Sequence, residues 1–229
     1  MGRLPRRKLG RGVYHVYNRS ANGMWMLNDD DMKEIFLNLV KRFSLKYKLN
    51  IYHYCIMSNH FHFAIEGDIH DISSLFRSVC SRFTIQYHAM IQGHGYGSIW
   101  QPRYKSVLVQ KDGYLSRLGR YIELNPVRAK MITPEQLVDY PWSSARCYLT
   151  GVADALIDPL NHPYRRQLEE YSDAAKRRYA EHLKVPHEED LSLFRSALSH
   201  IGDEDFLSSV ICVVGERMKL KVGRPRKLT

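Results

Sequence analysis

From Gly12 to Gln110 the hydrophobic period switches between two and about 3.6 in the order β-α-β-β-α-β, and few folds accept that order. Gly12-Val13-Tyr14-His15-Val16-Tyr17 alternates as a strand does. Asn28 then reads as the cap of a helix from Asp29 to Lys48, with Ile35, Phe36, Leu39, Val40 and Phe43 along one face. Two β-rich runs, Asn50 to Met57 and His60 to Glu66, are separated by Ser58-Asn59, a pair suited to a tight turn, so they should pair antiparallel. A second amphipathic helix is predicted from Asp71 to Met90, then a glycine-rich loop, Gly93 to Gly97, and a strand from Tyr104 to Gln110. This is the order of the ferredoxin-like split βαβ unit, an α+β fold in which two helices cover one face of a four-stranded antiparallel sheet.

A third helix should start near Asp112 and stop or bend at Pro126, because proline lacks the amide hydrogen and disfavours helical geometry at Asn125. Past Gly151 the chain becomes polar and punctuated by proline, with a charged helical stretch from Arg165 to Leu183. The last residues, from Lys219 through Arg224 to Lys227, are too basic and too poor in apolar side chains to pack alone. The expected organisation is a main domain over residues 1–150 with a basic N-terminal arm, a helical C-terminal extension over 151–215 and a basic tail over 216–229.

Charge narrows the partners. The 34 lysines and arginines against 24 acidic residues leave a net charge of +10, which attracts polyanions. No apolar run reaches the roughly 20 residues of a spanning helix and no leader pattern opens the chain, so a cytoplasmic, nucleoid-associated protein with no membrane contact is expected. The four cysteines, Cys55, Cys80, Cys147 and Cys212, form no C-x-x-C pair and read as reduced and buried. No G-x-x-x-x-G-K-[ST] loop is present to cradle a triphosphate, which argues against an ATP-driven motor.

His60-Phe61-His62 is the sharpest chemical signal. Side chains two apart on a strand share a face, so this spacing presents two imidazoles to one metal ion while Phe61 faces the core. On the third helix, about 100° per residue places Tyr114, Arg117, Asn125 and Arg128 within roughly 40° of Tyr121. A tyrosine oxygen is a weak nucleophile at its ordinary pKa of about 10, so attack on a phosphodiester needs a metal to polarise the phosphate and cations to offset the developing charge. The histidine pair, the tyrosine and the arginines are the parts of such a centre; Tyr114 and Tyr121 both remain open as the nucleophile on this reading alone.

Taken together, Gly12-Val13-Tyr14-His15-Val16, Met57-Ser58-Asn59-His60-Phe61-His62, Trp100-Gln101-Pro102-Arg103-Tyr104-Lys105, Tyr121-Ile122-Glu123-Leu124-Asn125-Pro126-Val127-Arg128-Ala129 and Tyr140-Pro141-Trp142-Ser143-Ser144 resemble the REP-associated tyrosine transposases of the single-tyrosine HUH superfamily. The likeness spans about residues 10 to 150. Ser58 departs from it, since the family more often has proline at this turn position. The resemblance implies a ferredoxin-like core, Mg2+ or Mn2+ on His60 and His62, Tyr121 as the residue that joins a DNA 5′ phosphate, and Asn125 as a further metal ligand. It implies a monomer that cuts and rejoins single-stranded DNA at a REP palindrome folded as a hairpin beside a single-stranded guide sequence.

DNA contacts are expected from the arm and neighbouring cations, Arg3, Arg6, Arg7, Lys8, Arg11 and Arg19, from Arg103 and Lys105, and from Arg117 and Arg128. Trp100 is either a platform for unpaired bases or an anchor beside the sheet. Gly223-Arg224-Pro225-Arg226 resembles an AT-hook, which would lay Arg224 and Arg226 into the minor groove of an A·T-rich duplex. The competing readings are a regulator that holds REP hairpins without efficient cleavage, another HUH endonuclease, and a metallohydrolase that uses water on His60 and His62.

Overall fold

The computed structural model describes residues 9–91, 97–157, 172–185, 188–196 and 200–219. The helices and strands of the first half follow the expected order: β1 (Arg11–Arg19), α1 (Asp30–Lys46), β2 (Asn50–Ile56), β3 (His60–Asp68), α2 (Ile69–Met90) and β4 (Lys105–Val109). They form an antiparallel sheet in the spatial order β2-β3-β1-β4, as a split βαβ unit requires. Ser58 and Asn59 make the β2–β3 turn, which the Met57 amide closes by donating to the His60 carbonyl at 2.8 Å. Asp29, one residue later than expected, occupies the N-cap position of α1 without a side-chain bond to the helix, and Asp68 caps α2 by accepting from the His70 amide.

Alternation along the strands sorts their side chains onto two faces. Tyr14, Val16, Phe61, Phe63 and Ile65 point one way and meet Phe36 and Val40 of α1 and Ile72, Phe76, Val79 and Phe83 of α2. Val13, Ala64, Val107 and Val109 point the other way, where α3 (Tyr114–Glu123) covers them with Leu115, Leu118 and Ile122. The split unit thus has α1 and α2 on one face, as the sequence predicts, and a third helix on the opposite one. Leu124 ends α3, and Pro126 opens a separate short helix, α4 (Asn125–Arg128), so the proline breaks the rod where its missing amide predicts.

Both edges of the sheet are covered, which removes the unpaired strand edges that invite association. Along β2, the Ile56 amide donates to the Trp142 carbonyl at 2.8 Å and the Ser144 amide to the Tyr54 carbonyl at 3.1 Å. This is the structural role of Tyr140-Pro141-Trp142-Ser143-Ser144, which leads into α5 (Ala145–Thr150). Along β4, a fifth strand, β5 (His200–Ile201), pairs in parallel. A two-residue strand carries no periodic signal, so the sequence reading missed it.

The C-terminal part contributes α6 (Asp173–Lys184), α7 (Glu188–Ser196) and α8 (Glu204–Lys219). The helix expected from Arg165 begins at Asp173 among the described residues, since residues 165–171 lie outside them. The basic residues Arg3, Arg6, Arg7, Lys8, Arg224 and Arg226 also lie outside the described residues. Cys55, Cys80 and Cys147 are thiols rather than disulfides, with Cys80 half-buried; burial pushes its thiol up to about 12. Among the described residues no helix is long and apolar enough to cross a membrane.

Gly119 lets α3 approach β2. A β-carbon there would stand 2.5 to 2.8 Å from the His53 ring, which cannot retreat because Glu123 holds its Nδ1 at 2.9 Å. Gly119→Ala should therefore lower stability by about 1–3 kcal/mol, the usual cost of overpacking, seen as a reduced urea midpoint with an unchanged slope.

Candidate active site

The site grows from the register of β1 on β3. Tyr17 lies opposite His62 and Arg19 opposite His60, so cross-strand neighbours bring His15, Tyr17, His60 and His62 onto the face that α3 covers. The His60 and His62 ring centroids are 5.2 Å apart and nearly perpendicular. Tyr121, projecting from α3, sets its ring edge-on to His62 at 5.8 Å and to His15 at 5.7 Å. Tyr114, on the same stripe of α3, instead lies beneath the Arg117 guanidinium at 5.5 Å. Of the two tyrosines, Tyr121 is the one whose ring packs against the histidines.

Hydrogen bonds orient both imidazoles. His60 Nδ1 meets Asn59 Oδ1 at 2.7 Å; an amide oxygen only accepts, so Nδ1 carries the proton and Nε2 keeps its lone pair. His62 Nδ1 meets His15 Nε2 at 2.9 Å, leaving His62 Nε2 as the nitrogen that His15 does not engage. Whenever His62 lends Nε2 to a ligand, its Nδ1 hydrogen donates to His15, whose own proton then sits on Nδ1. That atom is buried and has no hydrogen-bond partner among the described residues.

The histidines are also kept neutral. Burial holds His15 down to about 3. His60 falls to about 4, through burial first and the Arg19 charge second, with a hydrogen bond to Asn125 opposing both. His62 is pushed well below the usual histidine range by burial, reinforced by His15, His60 and Arg128. Neutral imidazoles have free lone pairs at pH 7, the state a metal requires.

Asn125 is held at the end of α3, its Nδ2 donating to the Tyr121 and Ile122 carbonyls at 2.9 and 3.0 Å. This spends the amide hydrogens and leaves Oδ1 as the donor atom on the His60 side. Among the described residues no group of three or more His, Cys, Asp or Glu side chains is placed to hold a metal ion. Two neutral imidazoles with a neutral amide oxygen fit a divalent cation that takes its remaining ligands from elsewhere.

The predicted cations separate into groups. Arg128 lies over the Tyr121 ring at 4.8 Å and donates to the Tyr121 carbonyl. Lys105 lies over the Tyr17 ring at 5.5 Å, and Tyr17 in turn stacks on His62. Arg19 and Arg103 are exposed. Arg11 sits at the far end of β1, about 26 Å from Arg19 at the rise of a strand, and does not converge on this site. Two expectations need correction. Trp100 is 5% exposed, packed against Phe36, Phe61 and Phe83 with its Nε1 donating to the Cys80 carbonyl, so it anchors the core and offers no stacking face. Arg117 is partly exposed but tied through its Nε to the buried Asp190 at 2.7 Å, so its charge is already partly met within the protein.

Several residues of the site escaped the sequence reading. Asp190 of α7 is buried and also receives Arg120 at 2.6 Å, which seats Phe194 against the Tyr121 ring at 5.2 Å and leaves Tyr121 only 7% exposed. Glu123, two residues past Tyr121, is fully buried. Its Oε1 meets His53 Nδ1 at 2.9 Å and accepts from Ser144 at 2.5 Å, and its Oε2 accepts from Tyr179 of α6 at 2.5 Å. The sequence marks Gly12 to Tyr17 as a strand but singles out neither His15 nor Tyr17; only the β1–β3 register sets them beside the histidine pair.

Residues 10–125 match the model of a family described as IS200-like transposases. Among solved structures, the chain is similar to a REP-associated tyrosine transposase bound to a REP hairpin, at 18% sequence identity and a TM-score of 0.52, over 69% of this chain and 92% of that one. At that identity the likeness speaks for the fold. No curated protein matches the chain in sequence.

The Glu123 network generates a stability expectation. Glu123→Ala strands several buried donors without an acceptor and should cost about 3 kcal/mol or more, while Tyr179→Phe, which removes one donor and leaves the others paired, should cost about 1 kcal/mol. Urea unfolding of the two variants separates them.

Proposed function

Because this chain belongs to the family of IS200-like transposases, we propose that it cleaves and rejoins single-stranded DNA beside a hairpin of the REP type, through a covalent link between Tyr121 and a 5′ phosphate. The observation that carries this reading is the convergence of Tyr121, His60, His62 and Arg128 from three elements onto one face of the sheet.

In the proposed reaction the Tyr121 oxygen gives up its proton and attacks phosphorus. The bond from phosphorus to the 3′ oxygen breaks, and that oxygen takes a proton to become a free 3′ hydroxyl. Attack by a 3′ hydroxyl on the phosphotyrosine reverses the step and rejoins strands, so the bond energy is conserved and no nucleotide is hydrolysed. His60, His62 and Asn125 would hold Mg2+ or Mn2+. When bound, the ion would polarise the scissile phosphate. His15 and Asn59 orient the two imidazoles through their second nitrogens, as partners of metal-binding histidines do. Arg128 stands where it can offset negative charge gathering at the tyrosine oxygen and the phosphate. Lys105, Arg19 and Arg103, with the basic arm, supply cations for the DNA backbone, and Arg224 and Arg226 would add contacts to an A·T-rich duplex. The protein would act as a monomer, with residues 1–150 as the catalytic domain.

One observation favours a second reading. Tyr121 lies beneath Phe194, and a chain that kept it there would bind hairpins without cutting them. Incubation with a labelled hairpin carrying a single-stranded flank, with and without Mn2+, separates the two on a denaturing gel. The transposase reading expects a metal-dependent covalent adduct that Tyr121→Phe abolishes and that His62→Ala lowers by about 100-fold or more, the scale on which one lost electrostatic contact to a transition state is felt. Tight binding with no adduct in any protein would establish the binding-only reading, and an adduct that survives Tyr121→Phe would assign the nucleophile elsewhere.

A further inference from the structure

Of the chain's 3 tryptophans, two are built into the structure. Trp100 is a core residue, and Trp142 donates its Nε1 to Asp30 at 3.0 Å with the Lys33 ammonium over its ring at 5.3 Å. Trp25 differs: it is 70% exposed, beside the exposed Met24. A large aromatic side chain left in water forgoes the gain of burial, so its exposure calls for a partner when the backbone beneath it is held in place.

The backbone beneath Trp25 is held. The segment from Ser20 to Leu27 leaves β1 through a turn at Ala21–Gly23, where Asn22 and Gly23 take positive φ of 53° and 69°. Its first residue donates from its amide to the Asn59 carbonyl at 2.8 Å, the next to the Ile99 carbonyl at 2.8 Å, and Leu27 to the Ser58 carbonyl at 2.9 Å. Met26 and Leu27 are buried immediately after Trp25. Both ends of the loop are therefore tied to the turn that precedes His60, and Trp25 lies within about 7 Å of backbone reach of the residue bonded to Ser58. Exposed charges of both signs border the loop, Asp29, Asp30 and Asp31 on its C-terminal side and Arg19 on its N-terminal side. Arg19 is exposed, sits opposite His60 across the β1–β3 pair, and its carbonyl accepts from the Gln101 amide at 2.9 Å, two residues before the exposed Arg103.

An exposed indole on a loop pinned to the turn before His60, with Arg19 and Arg103 exposed on the neighbouring segments, offers what a single strand needs: an aromatic face for a base and cations for its backbone. We propose that Trp25 is a stacking platform for an unpaired nucleobase of the DNA strand that runs into the His60–His62–Tyr121 site. The proposal rests on the single-strand transposase reading and adds to it the residue that grips the strand. The sequence sought such a face at Trp100, whose backbone bridges Ser20 at the start of this same loop.

The test uses the full-length chain in chelator, so that the ligand stays intact, with a DNA hairpin bearing a single-stranded oligothymidylate flank and the same hairpin without the flank. Stacking tolerates any base, so no particular flank sequence is needed. Trp25→Ala should weaken binding of the flanked hairpin by about 5- to 150-fold and leave the unflanked hairpin within about twofold, while Trp25→Phe should recover most of the loss. Tryptophan emission should be quenched by the flanked hairpin in the wild type and not in Trp25→Phe. Unchanged affinity for the flanked hairpin in Trp25→Ala, or an equal loss for both hairpins, overturns the platform while leaving the transposase reading to its adduct assay. Failure of the wild-type chain to prefer the flanked hairpin overturns the platform too, and a metal-dependent adduct obtained alongside that result keeps the parent reading standing.

Discussion

The buried carboxylate of Glu123 is the contact on which the arrangement of the second face depends. A carboxylate without access to water is costly unless its oxygens are met by donors. Here they are met by His53 from β2, Ser144 from the segment that covers the β2 edge, and Tyr179 from α6. Three parts of the chain far apart in sequence are thereby fixed to one point on α3. Tyr121 lies two residues away on that helix, so the same contact that satisfies a buried charge also sets the height and rotation of the tyrosine over the sheet.

Around this point the electrostatics divide into two zones. His15 and His62 are buried and His60 is half-buried, and burial together with nearby cations keeps them neutral, which preserves their lone pairs. The arginines of α3 are drawn toward α7, since Arg117 and Arg120 share the buried Asp190. Beyond the break at Leu124, Arg128 is turned back over Tyr121. Pro126 thus has a chemical consequence as well as a structural one. By ending α3 it frees Asn125 to turn its amide hydrogens onto the helix end and Arg128 to fold over the ring, positions that a continuous helix would have spaced along its axis.

How far the site was legible varied residue by residue. His60 and His62 were legible because strand alternation is a local property, and two residues apart means one face in any sheet. Asn125 was placed by the same helical arithmetic that a proline then partly overrode. Trp100 and Trp25 show the opposite case. Both are tryptophans near arginines, and local sequence does not distinguish a ring packed among Phe36, Phe61 and Phe83 from one left 70% exposed. Glu123 was passed over because an acidic residue on an amphipathic helix reads as a solvated one until its three donors, 70, 21 and 56 residues away in sequence, are seen around it.

By itself, then, the sequence determined the order of strands and helices, the split βαβ arrangement they must form, the break at Pro126 and the pairing of two histidines on one face. These follow from period, turn chemistry and the missing proline amide, which act over a few residues. Only the tertiary structure decided that Tyr17 stands opposite His62, that β5 and the Trp142–Ser144 segment close the sheet edges, that α7 seats Phe194 on Tyr121, and that Trp25 rather than Trp100 faces water. Those outcomes turn on register and on contacts between distant segments, where many side chains compete for the same surface and the winner is set by packing that no local pattern records.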